Sequence, residues 1–372
     1  MGQIYNMPTT ASRQRTLKSA PTNIMARTYR NLHEKVCDYG TLFRAWERAR
    51  RGKRLRGDVL AFSANVGENL LRLQDELASL AWQPGAYRSR VVYEPKQRTI
   101  HIAPFRDRIV HQALCAVIAP LFEETFIHDS YACRAGKGSH AAVDRLTQFL
   151  RRDNSTYVLK GDLSKYFESI PHGLIMRELE WRIADGAVLE LLHRVLNSYQ
   201  GDFVGPAGFG PRGLPIGNLT SQWFANIVGN CLDQHAKHEL RCRHYIRYMD
   251  DWALVSGSKQ ELQGWLLEIQ RLLANLGLVL NPKTRILTAK EGVPFLGYRV
   301  WPTHRRALRG NLVRGRRRLR DHLRAVDAGE MEGAAAVDSL RSWFAHLAHA
   351  DTFRLRVSLW REARPILGRF IC

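Results

Sequence analysis

The stretch Tyr245-Ile246-Arg247-Tyr248-Met249-Asp250-Asp251-Trp252-Ala253-Leu254-Val255 decides the fold. Aromatic and β-branched residues fill both arms, and two acids stand at the centre. That pattern reads as a β-hairpin with the acids at its turn. A second run, Thr156-Tyr157-Val158-Leu159-Lys160-Gly161-Asp162, reads as a short strand ending in an acid. If these strands are neighbours in one sheet, Asp162, Asp250 and Asp251 converge. Three carboxylates so placed repel one another and need a cation. Mg2+ suits them, because it is bound by a few carboxylates together with substrate phosphates. Two such ions, about 4 Å apart, activate a hydroxyl nucleophile and stabilise a leaving pyrophosphate.

Outward from this centre the periodicity changes several times. Tyr29 to Leu80 reads as helical, with Leu42, Phe43 and Trp46, then Val66, Leu70, Leu73 and Leu77, at helical spacing. Tyr87 to Ile102 alternates around Glu94-Pro95-Lys96-Gln97 and reads as a second hairpin. Arg108 to Phe122 and Glu261 to Leu276 read as helices, Val293 to Val300 and the residues after it as a short strand pair. From Arg305 onward the chain reads as helical and basic.

The 372 residues carry 56 Lys+Arg against 35 Asp+Glu, a net charge of +21, with 45% hydrophobic residues. So large an apolar fraction excludes global disorder. No apolar run of about 18 residues lacks charges, so no membrane span is expected. The positive excess points to a polyanionic partner. It concentrates in residues 1–56, with 13 Lys+Arg against Glu34, Asp38 and Glu47, and in 303–325, with nine Arg against Asp321. Such runs read either as solvated faces or as phosphate-docking surfaces. The six cysteines form no Cys-x-x-Cys pair and read as reduced thiols of a cytoplasmic protein. The segment Ala-Gly-Lys-Gly-Ser at 135–139 fails as a phosphate loop, because Tyr131 stands where glycine is needed. His140 and His172 read as core or turn residues.

Several motifs, in order along roughly residues 29–360, resemble those of reverse transcriptases. They are YMDD at 248–251, LKGDLSKYFESI at 159–170, IHIAPFRDRIVHQAL at 100–114, SYACRAGKGSHAAV at 130–143, GLPIGNLTSQWFANI at 213–227, NPKT at 281–284 and FLGY at 295–298. Group II intron and retron-like enzymes carry Gln-Gly and Ser-Pro where this chain has Ile216-Gly217 and Ser221-Gln222. That departure, with YRVWPTHRR at 298–306 and SWFAHLAHADTFRL at 342–355, is similar to reverse transcriptases of diversity-generating retroelements.

The resemblance implies an α+β right-hand polymerase that copies a template-repeat RNA into cDNA, error-prone at template adenines, for mutagenic retrohoming. The expected partners are template RNA, the cDNA/primer duplex, dNTPs and a pentameric basic accessory variability protein, in a bacterial or phage-encoded system. Asp162 and Asp250 would be the main ligands of two Mg2+ ions, with Asp251 nearby and the Leu163 carbonyl as a further oxygen. Lys96 and Arg98 would hold the triphosphate; the alternative is a solvated turn. Phe167 would fill the space of a ribose 2′-OH or serve as a core aromatic. Lys283 would protonate or neutralise the departing pyrophosphate, or lie idle at the surface. Ile216 and Gln222 would border the templating base and incoming dNTP and loosen discrimination, or simply pack.

The implied organisation is a flexible basic lead-in at 1–24, an N-terminal helical segment and fingers at 25–155, a palm at 156–302 and a basic helical thumb at 303–372. Arg305, Arg306, Arg309, Arg314, Arg316, Arg317 and Arg318 would grip phosphates. The 70 residues from 303 suffice for a three-helix thumb without a nuclease domain. Two alternatives stay open: a retron-type or host-defence bacterial reverse transcriptase, and a non-catalytic RNA-binding scaffold.

Overall fold

A computed structural model describes residues 28–93, 97–152 and 156–370. The lead-in at 1–24 and Lys96 lie outside the described residues. The N-terminal stretch is helical, in four pieces: α1 (His33–Cys37), α2 (Tyr39–Arg50), α3 (Gly57–Ala64) and α4 (Val66–Ala78). Local chemistry makes the breaks. The Asp38 carboxylate accepts the Thr41 N–H at 2.7 Å and restarts the chain as α2. After α2, Gly52 turns the chain through a positive φ of 68°. The apolar spacing was nonetheless that of helices, since Leu42, Ala45 and Trp46 of α2 and Leu70, Leu73 and Leu77 of α4 are buried.

Strands β1 (Arg88–Val92) and β2 (Arg98–Ile102) pair antiparallel, as the alternation predicts. They lead into α5 (Phe105–Glu123), the most buried helix of the N-terminal half, and then α6 (Ser139–Leu150). Next come β3 (Tyr157–Gly161), α7 (Tyr166–Ser169), α8 (His172–Glu180), α9 (Gly186–Asn197) and α10 (Leu219–Gln234). The chain continues through β4 (His244–Tyr248), β5 (Asp251–Ser256), α11 (Lys259–Asn275) and β6 (Arg285–Thr288).

These strands form one antiparallel sheet in the order β4-β5-β3-β6. Its side chains alternate between two cores, as the strand period of two requires. Leu159, Tyr245, Trp252 and Leu254 face a core shared with α5, α8, α9 and α10. Val158, Ile246, Ala253 and Val255 face a second core under α6. Gly161 is obligatory in this sheet, because any Cβ there would overlap the Trp252 indole.

The expected strand pair after residue 293 is a three-stranded sheet, β7 (Val293–Phe295), β8 (Tyr298–Val300) and β9 (Arg305–Ala307). Arg305 and Arg306 are therefore strand residues, and the basic helix begins only at Arg309. The reason is the ladder: Arg305 pairs with Val300 and Arg306 with Arg299. Three helices follow, α12 (Arg309–Asp327), α13 (Gly333–Ala348) and α14 (Phe353–Leu367). They enclose their own core of Leu319, Leu323, Leu340, Leu347, Leu359 and Leu367. Among the described residues no helix is long and apolar enough to cross a membrane.

Candidate active site

Two elements bring the acids together. Tyr248 pairs with Asp251 across the β4–β5 hairpin, so Met249 and Asp250 are its two-residue turn. Met249 takes a left-handed φ of 55° to close it. In the neighbouring ladder Gly161 pairs with Trp252. Extending that register by one residue sets Asp162 beside Asp251, at the same end of the sheet as Asp250.

The three carboxylates have different surroundings. Asp250 is half-buried and makes no ion pair among the described residues. Burial first, then the charges of Asp162 and Asp251, push its carboxyl up to about 6, against a smaller opposing pull from Arg98. Asp251 forms an ion pair with the Lys160 ammonium, which extends from β3. Its carboxyl is raised by burial, then restrained by Lys160, with Asp162 adding to the rise. Asp162 accepts a 2.8 Å hydrogen bond from the Asn281 side-chain amide, and its carbonyl accepts the Asn281 backbone N–H at 2.9 Å. Asn281 thus holds Asp162 by both main chain and side chain.

The donor set fits a hard divalent cation. All candidate donors are oxygens. Asp162 and Asp250 carry charge that no cationic side chain neutralises through an ion pair among the described residues. Among the described residues no group of three or more His, Cys, Asp or Glu is placed to hold a metal ion. Asp162 and Asp250 make a pair of carboxylates, the number Mg2+ takes when substrate phosphates complete its shell. Leu163 is buried and bridges to Leu280. The bridge is made by the Asp162 carbonyl and by the Ser164 N–H, which donates to the Val279 carbonyl at 2.8 Å. It uses no oxygen of Leu163.

The other predicted residues fall around this centre unevenly. Arg98, on β2, is exposed and close enough to act on Asp250. Phe167, on α7, is half-buried, and its carbonyl accepts the Leu214 N–H at 2.6 Å. Ile216 is half-buried, and its carbonyl accepts the His101 N–H at 2.9 Å, tying the loop before α10 to the hairpin of β1 and β2. Gly217, with φ of 118°, lets the chain pass, since a Cβ there would stand 2.8 Å from Ile100 Cγ2. Gln222 lies in the first turn of α10, and its Oε1 accepts the Cys133 thiol at 3.3 Å. Lys283 is exposed; its backbone N–H donates to Asn281 Oδ1 at 3.0 Å.

The predicted basic grip divides. Arg309, Arg316, Arg317 and Arg318 are exposed on α12, and Arg317 stands 3.8 Å from Asp321. Arg314 is half-buried and bonded to Asn311. Arg305 differs most: its guanidinium pairs with Asp144 of α6 at 2.6 Å. That bond joins β9 to α6 and occupies the charge assigned to phosphate.

Sequence reasoning passed over three residues that the fold places here. Lys160 was visible as a lone cation in a buried strand, and Asn281 heads the quoted NPKT. Arg247 was visible as a cation inside the apolar arm of the hairpin. It is completely buried and paired to an equally buried Asp233 at 2.6 Å. The Asp233 charge overcomes the effect of burial and holds the guanidinium above its ordinary range.

Comparison with known proteins agrees with this geometry. The family described as reverse transcriptase (RNA-dependent DNA polymerase) matches residues 93–300, more than half of the chain. Protein YkfC of Escherichia coli is 30% identical over 278 residues, covering 64% of this chain and 72% of that protein. A putative COX1/OXI3 intron 1 protein of Saccharomyces cerevisiae is 23% identical over 319 residues, 69% of this chain. The chain spans only 38% of that yeast protein. Telomerase from Candida albicans, solved with a fragment of telomeric RNA, superposes with a TM-score of 0.50 at 14% identity. That match covers 77% of this chain and 55% of the telomerase and shows a shared right-hand fold.

Proposed function

The chain belongs to the reverse transcriptase family of RNA-directed DNA polymerases, and from that premise we propose a division of labour at its site. The observation that carries it is Asp250, a half-buried acid beside Asp162 that makes no ion pair among the described residues. Asp162 and Asp250 hold the catalytic cations, with Asp251 adding charge and the Leu163 carbonyl a further oxygen. When bound, two Mg2+ ions supply activation of the primer 3′-hydroxyl and stabilisation of the leaving pyrophosphate. Asn281 fixes the Asp162 carboxylate, and Lys160 orients Asp251 and counters the rise that burial imposes on its carboxyl. Arg98, with Lys96 on the same hairpin, binds the triphosphate; a guanidinium suits it by its two-pronged donor geometry. Phe167 excludes a ribose 2′-OH, and Lys283 neutralises the departing pyrophosphate. The exposed arginines of α12 hold the template RNA and cDNA/primer duplex through phosphates.

The finer reading is a mutagenic reverse transcriptase of a diversity-generating retroelement, working with a pentameric basic accessory protein. Its support is Ile216 and Gln222. An apolar Ile216 offers the templating base no side-chain hydrogen bond. Gln222 brings a polar amide to the turn of α10 that follows. Selectivity is a difference of transition-state affinities, so loosened geometry lowers it. The test is sequencing of cDNA made from a defined template RNA by the parent, Ile216→Arg and Gln222→Pro. Misincorporation at template adenines should fall several-fold while total extension stays within about threefold. Error spectra equal to the parent's overturn this reading. The intron-encoded yeast relative favours a second reading, a reverse transcriptase acting on intron RNA. Preferential copying of an intron RNA over a repeat-type template, at ordinary fidelity, would select it.

A further inference from the structure

We propose that Arg247 is a positioning residue for catalysis: through the Met249 carbonyl it sets where the Asp250 carboxylate stands. The inference rests on the reading of Asp250 as a cation-holding acid.

A guanidinium has five N–H donors in a planar fork. Here each nitrogen finds acceptors inside the protein. Nε donates to Asp233 Oδ1 at 2.6 Å, and Nη2 to Asp233 Oδ2 at 2.7 Å and Ser130 Oγ at 3.1 Å. Nη1 donates to Asn226 Oδ1 at 3.2 Å and to the Met249 carbonyl at 3.1 Å. The last bond matters most. Met249 sits in the left-handed region, which costs a non-glycine residue energy unless its surroundings hold it there. Its carbonyl belongs to the peptide that joins it to Asp250. Fixing that carbonyl fixes the plane from which the Asp250 side chain departs.

The other end of the fork is anchored in rigid structure. Asp233 and Asn226 both lie on α10, two turns apart. Main-chain bonds add a third anchor: Arg247 N–H donates to the Asp129 carbonyl, and Tyr131 N–H to the Arg247 carbonyl, both at 3.0 Å. The space for the guanidinium is made by Gly229, where any Cβ would overlap it. Arg247 therefore transmits the position of α10 to the turn carrying Asp250. Lysine keeps the charge but has neither the fork nor the reach to serve both Asp233 and Met249.

The test uses the full chain on poly(rA)·oligo(dT) with dTTP, comparing the parent with Arg247→Lys and Gly229→Ala. Two quantities are read: the Mg2+ concentration for half-maximal extension, and Mn2+ binding to the template–primer complex by electron paramagnetic resonance. Both variants should need several-fold more Mg2+ and bind Mn2+ several-fold more weakly, with maximal rates on the order of 10- to 100-fold lower. A merely structural role lowers the rate in proportion to the folded fraction and leaves both metal readouts at parent values. That result overturns the inference. If Arg247→Lys does not fold, Gly229→Ala decides alone by the same readouts. Asp250→Ala with undiminished extension overturns the reading of Asp250 itself, whatever the arginine does.

Discussion

Asp233 and Asp250 are two acids drawn wholly and partly out of water, and the fold treats them in opposite ways. Asp233 is completely buried, yet its oxygens accept two bonds from Arg247 and one from Tyr245 at 2.7 Å. Its charge is answered inside the protein. Among the described residues Asp250 is answered by nothing comparable, and its charged neighbours are mostly other acids. A protein that can build the first environment has left the second incomplete. Buried charge costs free energy unless it is paired. An acid kept at that cost holds charge for something that arrives from outside.

The contrast can be broken in three ways, taken from the largest effect down. Asp250→Ala should lower dNTP incorporation by about 10³-fold or more, the several kcal/mol carried by metal electrostatics. Its melting temperature should hold or rise, because repulsion is removed. Primer-extension rates and a thermal melt check both halves, and a destabilised Asp250→Ala would erase the distinction. Asp233→Asn should do the reverse. It strands a buried guanidinium and should cost about 3–5 kcal/mol of stability, read by denaturant titration. Little change there would mean Asp233 is not the partnered acid described.

The third effect is smaller and depends on pH. The folded Asp250 carboxyl is pushed up to about 6, above its value in the unfolded chain. The folded state therefore binds this proton more tightly, and the group's destabilisation is present above pH 6 and fades as pH falls toward 4. Metal-free Asp250→Asn should melt about 5 °C above the parent at pH 7.5, with the gap narrowing steadily toward pH 4. Measuring the difference between the two proteins cancels the histidines, several of which are lowered by burial and act in the opposite sense. Saturating Mg2+ at pH 7.5 should close the gap in the parent. A gap independent of pH would place Asp250 in an ordinary solvated setting.

Much of this was legible in the sequence because it was local. Aromatic and β-branched residues in 245–255 and 156–162 located three strands, with the acids at the hairpin turn and at the end of the third. The hairpin around residues 94–97 and the helix from Arg108 were readable for the same reason. Errors came where local signals were silent. Arg305 and Arg306 read as helical because charge runs look alike in helices and strands; pairing with β8 decided otherwise. The helical stretch from Tyr29 concealed three breaks, since apolar spacing continues across a cap.

The side-chain partnerships were the least legible. Lys160 meets Asp251 across 91 residues, Asn281 meets Asp162 across 119, and Arg247 meets Ser130 across 117. Nothing in a one-dimensional pattern says which cation an acid will find. By itself the sequence determined the strands, the turn acids and where the positive surplus lies, because each depends on residues within a few positions of one another. Only the tertiary structure decided which charges are answered. An ion pair's energy falls with distance and rises with burial, and both are properties of the folded chain.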